Sequence, residues 1–531
     1  MPEEPARRST GGALAVASGI FLSRIAGLVR ERAISHYLGL SAAADAFRAA
    51  LRIPNLLQNL LGEGVLSASF IPVYARLRAE GKDEEASRVA RAIGTLLALV
   101  AALISVIGVL AAEPLVGLLA PGFSGETREL TIAMVRILFP GTALLVMSAW
   151  CLGVLNSHRK FFLSYVSPVL WNTAIIATAI VAGRRLAGHD HDIAVWLAWG
   201  AVFGSAAQFL VQLPTVISLL RGLTPSLAVG EPGVRSTLRA FVPVVIGRGS
   251  VQISAYIDQI LASYLGRGVV AAISSAQVLY LLPVSLFGMA VSAAELPEMS
   301  SATGADSERA AHLHKRLGPA LRRVVFLVVP SAVAFIAIGG PIIALLFETG
   351  RFGADDTRIV WIILAGSAIG LLPNTMGRLI GSAFYALGDP KPPLHAALVR
   401  VAITAVGGYA FALPIREAVG YGPEWGAFGL TASSGFAAWI ELLLLERWLS
   451  KRIGKVAIPT RLAFGALGAA VLAGAAGFGA AYLAAELGWT GWKGALVAVP
   501  VFGAIYLGVM SVAKVPEATG FTRRLRRKKR A

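Results

Sequence analysis

Cysteine is nearly absent: Cys151 is the one cysteine in 531 residues, and it sits in an apolar run. A single thiol excludes an intrachain disulfide framework and a cysteine metal cluster. Charge is scarce too, at 15% of residues against 56% hydrophobic, which excludes a soluble protein with one anchor and implies an all-α polytopic membrane protein. There is no G-x-x-x-x-G-K-[ST] run and no soluble stretch long enough for a nucleotide-binding domain, so direct ATP drive is not expected. The net charge of +18 comes without an extended basic domain interleaved with aromatics, which argues against nucleic acid as a partner. His189-Asp190-His191-Asp192 is the one metal-like sequence. It reads as a solvated loop, against the alternative of a D-x-D motif for metal-dependent glycosyl transfer to a lipid carrier. No catalytic residue, metal or cofactor is expected, and the N-terminus has no obvious signal-peptidase site, so no cleaved leader is expected.

What is present is apolar sequence of spanning length, at about 12 to 38, 46 to 75, 92 to 112, 128 to 155, 162 to 183, 194 to 220, 238 to 265, 269 to 297, 318 to 339, 358 to 387, 393 to 414, 426 to 449, 462 to 485 and 493 to 514. That makes about fourteen transmembrane helices. Lys and Arg concentrate in alternate loops, among them Arg76, Arg78 and Lys82, then Lys451, Arg452 and Lys455, and the tail from Arg523 to Arg530. The positive-inside rule then puts both termini in the cytoplasm.

An internal repeat sets the domain plan. Tyr37-Leu38-Gly39 recurs as Tyr264-Leu265-Gly266 (264 − 37 = 227), and Leu118-Leu119 through Gly122 recurs as Leu345-Leu346 through Gly350 (350 − 122 = 228). Each copy holds about six helices, so the copies share one orientation and are related by an axis along the membrane normal. The expected domains are a lobe at 1–225, a second lobe at 226–456, and two further helices with a basic tail at 457–531.

Charges inside the first two spans are the strongest functional signal. Taking Asp45 as zero and advancing about 100° per residue, Arg48, Arg52, Asn59 and Glu63 fall within about 60° of it, one polar stripe ~27 Å long. On the preceding helix Arg24, Gly27 and Glu31 share a face, and Arg30 lies on another. Each charge costs roughly 2.5 to 3.5 kcal/mol at the bilayer centre, so these residues must face a wet cavity or each other. The corresponding helix of the second copy carries Ser274, Ser275, Gln277 and Tyr280, while Arg378 and Arg400 lie scattered elsewhere. Asp258 and Glu295 are candidate ion-coupling carboxylates, and Asp258 needs a partner on another helix. Converging arginines suit a phosphate, so the residues alone point to a secondary transporter of an anionic, polar headgroup.

Several of these stretches carry a resemblance. S-R-I-A-G-L-V-R-E from Ser23, A-D-A-F from Ala44, R-I-P-N-L-L from Arg52 and E-G-x-x-S from Glu63 closely resemble the MurJ (MviN) family of lipid II flippases, with weaker matches through Phe384-Tyr385 and Asp389. The resemblance implies the fold of the multidrug, oligosaccharidyl-lipid and polysaccharide exporter superfamily, with alternating access. It also implies an inner-membrane location and an undecaprenyl-pyrophosphate-linked substrate, lipid II, with cell-wall synthesis proteins as candidate partners beside the membrane lipids. Arg24, Arg30, Asp45, Arg52 and Glu63 match positions the family uses in its cavity. Gln58-Asn59 stands where the family commonly has a basic pair, Gln277-Val278 where it commonly has an Asp-Arg pair, and Arg48 where an apolar residue is common. Arg48 reads either as a replacement phosphate ligand beside Arg52 or as a counter-ion to Asp45. The alternatives left open are an exporter of another polyprenyl-linked glycan and a non-transporting membrane scaffold.

The loop charges make the topology testable. Reporter fusions after Arg78 and Lys455 should report cytoplasm and one after Gly188 periplasm; a periplasmic signal at Lys455 would remove the repeat architecture.

Overall fold

Apolar runs fold as helices here because a backbone in hydrocarbon must satisfy its own hydrogen bonds. The computed structural model describes residues 5–222, 224–289, 306–456 and 458–520, together with Val291, Glu295 and Met299. The chain divides into two compact units, Met1–Ser263 and Tyr264–Ala531. The first holds α1 (Pro5–Leu38), α2 (Ala42–Leu61), α3 (Glu63–Ala79), α4 (Asp83–Leu110), the short α5 (Ala112–Leu119), α6 (Gly125–Ser157), α7 (Phe161–Arg185), α8 (Asp190–Leu219) and α9 (Pro232–Ser263). The second begins with α10 (Val269–Pro283), which widens into a π-helical turn over Val284–Met289, and continues with α11 (Asp306–Ala337), the short α12 (Gly339–Phe347), α13 (Ala354–Ala368) and α14 (Leu371–Ala386). Next come α15 (Lys391–Ala410), a π-helical turn over Phe411–Ile415, α16 (Arg416–Val419), α17 (Pro423–Ile453), α18 (Thr460–Glu486) and α19 (Trp492–Val512).

Among the described residues, eleven spans are long and apolar enough to cross a bilayer, with α2 and α3 counted as one, or twelve if the pair α13 and α14, bent by 42°, counts as one span. Two others, α1 and α9, have the length at 34 and 32 residues. The short helices α5 and α12 begin 227 residues apart (339 − 112 = 227), the same offset as the sequence landmarks. The first unit runs to Ser263 and so takes in α9, which packs on α2, α3 and α4.

Two expected helices are broken, 358 to 387 between α13 and α14 and 46 to 75 at Gly62. The stretch from 46 to 75 is two helices meeting at Gly62, whose extended backbone (φ −87°, ψ −153°) ends α2 and whose N–H bonds to the Gln58 carbonyl at 2.8 Å. A Cβ there would sit 2.2 Å from that carbonyl oxygen, so glycine is required. The break resets the helical phase, and the stripe is continuous only from Asp45 to Asn59. The entry to α2 is set by Ser41, whose hydroxyl accepts from the Ala44 N–H at 3.1 Å.

Close helix approach builds each unit's core. In the first, α4 meets α6 where Trp150, fully buried, donates its indole N–H to the Ala90 carbonyl at 3.1 Å and lies over Gly94. In the second, α18 and α19 pack on each other and on α11 and α12. Tyr506 Oη donates to the Phe326 carbonyl at 2.7 Å, and Arg322 grips Glu517 with two bonds of 2.9 and 3.2 Å. Outward faces carry large apolar side chains, as with Leu99, Leu103 and Leu110 of α4, suited to lipid.

The α4–α6 contact predicts a site-specific cost. A Cβ on Gly94 would fall 2.7 Å from the Trp150 ring. Gly94→Ala should therefore lower unfolding free energy by about 1–3 kcal/mol, measured by denaturant titration in detergent. Gly503→Ala, whose Cβ meets nothing, should be neutral or mildly stabilising. Equal effects at the two positions would disprove the packing argument.

Candidate functional site

The charged residues of the first unit are held in two clusters. In the first, Arg48 of α2 forms an ion pair with Glu31 of α1, both side chains 6% exposed. Arg30, on the next face of α1, donates Nη1–H to Asn172 Oδ1 at 3.0 Å and lies 5.0 Å from the centroid of the Trp171 ring, a cation–π distance. Asn172 is fixed in turn, because its Nδ2 donates to the Pro168 carbonyl at 3.0 Å. Pro168 removes a backbone donor from α7, and the carbonyl it would have bonded, that of Ser164, accepts from the Ser167 hydroxyl at 3.1 Å. Asp45 is buried at 1% exposed in the first turn of α2, where the helix dipole favours an anion.

The second cluster joins α2 to α9. Tyr256 donates its hydroxyl to the Arg52 carbonyl at 3.2 Å, and Asp258, half a turn further on, stands within electrostatic reach of the Arg52 guanidinium. The interhelical partner that Asp258 needed is thus a residue of the stripe itself. Further along, Asn59 is exposed; the side chain of Glu63, at the start of α3, lies outside the described residues. Arg24 is exposed on α1. Glu295 belongs to the second unit, where Arg323 of α11 pairs with it at 3.5 Å.

Sequence reasoning missed Asn172, Trp171 and Tyr256. A signal for Asn172 existed: it stands 228 residues before Arg400 (400 − 172 = 228), the offset of the repeat. In the second unit Arg400 donates to Asn374 Oδ1 at 2.6 Å and to Glu441 Oε2 at 3.0 Å, and Asn374 Nδ2 bonds the Tyr280 hydroxyl at 2.6 Å. Arg400 is therefore not isolated; it centres a polar knot of four helices. The D-x-D stretch differs from the loop expected of it, since Asp190 and Asp192 form the acidic first turn of α8 and His191 lies 3.3 Å from Glu126. Among the described residues no group of three or more His, Cys, Asp or Glu could hold a metal ion.

Chemically, the first unit offers the guanidinium groups of Arg30, Arg48 and Arg52 on α1 and α2, each facing an oxygen or a carboxylate of its own chain. A phosphate presents the same kind of oxygen acceptor.

Comparison with known proteins bears on this arrangement. The family profile described as "Lipid II flippase MurJ" matches residues 34–497. The chain is 34% identical over 518 residues to "Lipid II flippase MurJ" of Burkholderia cenocepacia, covering 94% of this chain and 96% of that one. It is 30% identical over 455 residues to "Probable lipid II flippase MurJ" of Bdellovibrio bacteriovorus, covering 85% and 83%. Among solved structures, "Lipid II flippase MurJ, inward closed conformation" superposes with a TM-score of 0.76 at 23% identity over 94% of this chain and 98% of that one. An inward-facing multidrug transporter of the MATE family superposes at 0.64 and 19% identity, covering 84% and 100%.

The buried pair yields a double-mutant prediction. Glu31→Leu alone strands a buried guanidinium and should cost about 3–5 kcal/mol, whereas Glu31→Leu with Arg48→Leu should recover most of that loss. Denaturant titration in detergent reads both, and simple additivity would mean the two side chains are not coupled.

Proposed function

Since the chain belongs to the lipid II flippase MurJ family, we propose that it moves lipid II from the cytoplasmic to the periplasmic leaflet of the bacterial inner membrane. It is a multi-pass transporter and not an enzyme. Alternating access between lobes 1–225 and 226–456, with both termini cytoplasmic, is part of the same reading, supported by the loop charges and the 227-residue repeat.

The observation that carries the reading is a row of arginines, each held by an acceptor of its own chain. Arg30 rests on an uncharged amide, Arg48 on Glu31, and Arg52 beside Asp258. Without substrate, the row holds its charge at tolerable cost, because each cation has an acceptor. An arriving diphosphate trades one acceptor for another, and the exchange is nearly balanced in free energy, as a carrier that must also release its cargo requires. On this reading Arg24 and Arg52 make the principal phosphate contacts. Arg30 contributes because its present partner is neutral, and Arg48 holds Glu31 and the α1–α2 spacing. Asp45, Asn59 and Glu63 line the path, and Asp258 returns to Arg52 when the substrate leaves. The family's missing cations at Gln58, Asn59 and Val278 are then tolerated, because the diphosphate is gripped from α1 and α2. Cell-wall synthesis proteins are proposed as partners on family grounds alone.

Rescue of a bacterium depleted of its own flippase tests this. Growth is expected with the wild-type chain and should be lost with Arg24→Ala or Arg52→Ala at equal membrane abundance. No rescue by a correctly inserted wild-type chain would move the reading to another polyprenyl-linked glycan.

A further inference from the structure

Away from the charged stripe, the first unit contains a polar cavity of about 420 Å³ where the ends of α3, α6 and α8 meet the start of α4. Arg78, Arg88, Arg91 and Arg221 line it, with Asp83 and Glu84. Two of the arginines are occupied: Arg78 donates to the Ser157 carbonyl at 2.9 Å and lies 3.5 Å from Asp83, and Arg88 pairs with Glu231 at 2.8 Å. Neither Arg91 nor Arg221 has an ion-pair partner among the described residues. Four guanidinium groups set against Asp83, Glu84 and Glu231 leave one positive charge, 4 − 3 = 1. One wall is Tyr74, whose hydroxyl bonds His158 Nε2 at 2.9 Å. Burial, and then the Arg78 guanidinium, hold the His158 imidazole below its ordinary range, so this wall adds hydrogen-bonding capacity rather than charge.

The backbone adds an independent observation. Arg221 has φ +54° and Arg159, next to His158, has φ +58°, the left-handed region. Both follow helix C-termini, in the position that glycine fills without steric cost; Gly39, Gly188 and Gly266 do so at other helix ends of this chain. At Arg221 the chain keeps a side chain where its absence would be cheaper, and that side chain lines the cavity. The helix C-terminus also favours a cation, but that interaction does not account for a cavity with a net charge of one.

We propose that this cavity binds a phosphodiester: one negative charge, held by Arg91 and Arg221, with the Tyr74–His158 pair supplying one further hydrogen-bond donor to its oxygens. Because the cavity lies at helix ends, on the side the loop charges assign to the cytoplasm, its source is a phospholipid of that leaflet. The site stands apart from lipid II transport and rests on the proposed reading only for its orientation in the membrane.

The test uses the full-length protein in a neutral detergent, titrated calorimetrically with dihexanoyl phosphatidylglycerol, with dihexanoylglycerol and with inorganic phosphate. Phosphatidylglycerol should bind at least about tenfold tighter than the phosphate-free diacylglycerol, and Arg91→Gln or Arg221→Gly should each weaken it at least about fivefold. Arg221→Gly also relieves the left-handed backbone, so its melting temperature without lipid should not fall, which separates lost binding from lost folding. Inorganic phosphate binding as tightly as the lipid, and lost in the same variants, would keep the anion site and assign it to a free phosphate. Equal affinity for the two glycerolipids, or unchanged lipid affinity in both variants, would overturn the proposal.

Discussion

A formal charge in hydrocarbon needs a counter-charge or water, and much of the interior of this protein follows from that requirement. Glu31 exists beside Arg48, Asp258 beside Arg52, and Glu441 beside Arg400, each pair spanning two helices. Every pair therefore also fixes a helix–helix spacing. Arg30 is the instructive exception, because it is held by a neutral amide and an aromatic face instead of a carboxylate. Such partners orient a guanidinium without cancelling its charge, which leaves positive potential available where an anionic headgroup is to be carried.

Helix breaks are the second device, and they sit beside the polar clusters. Gly62 separates α2 from α3 just past Asn59, and the 42° bend between α13 and α14 lies at Gly370, whose carbonyl accepts from the Tyr280 hydroxyl at 3.4 Å. A broken helix exposes backbone groups that need polar partners, so breaks and buried polar side chains recur together. Gly370 also meets Gly435 of α17 so closely that a Cβ on it would fall 2.8 Å from the Gly435 Cα. Small residues there let two backbones touch, which is how packing is achieved where lipid supplies no hydrophobic drive.

The repeat links these devices across the sequence. Asn172 and Arg400 stand at one offset and both anchor polar clusters, yet one binds an arginine and the other is one. The two units keep the positions of a polar network while changing its charge. A shared scaffold has thereby been given two electrostatic characters.

The amino-acid sequence by itself determined what depends on composition and local spacing. Apolar length set the helical spans, loop arginines set the expected orientation, and the offset of 227 to 228 residues set the repeat; the motifs around Arg24, Asp45 and Arg52 carried the family. The same reasoning placed Asp45, Arg48 and Arg52 on one face, because three residues within two turns share a helical phase whatever surrounds them. It failed at Gly62, where Gly62-Glu63-Gly64 without an adjacent proline did not show by itself that the phase would be lost. Only the tertiary structure decided the partners. Glu31 with Arg48, Asn172 with Arg30, and Tyr256 and Asp258 with Arg52 are separated by 17 to 206 residues (48 − 31 = 17; 258 − 52 = 206), and pairing across helices depends on rotation and depth that no single helix encodes. The cavity lined by Arg91 and Arg221 was invisible for the same reason: its walls come from four helix ends that meet only when the unit is packed.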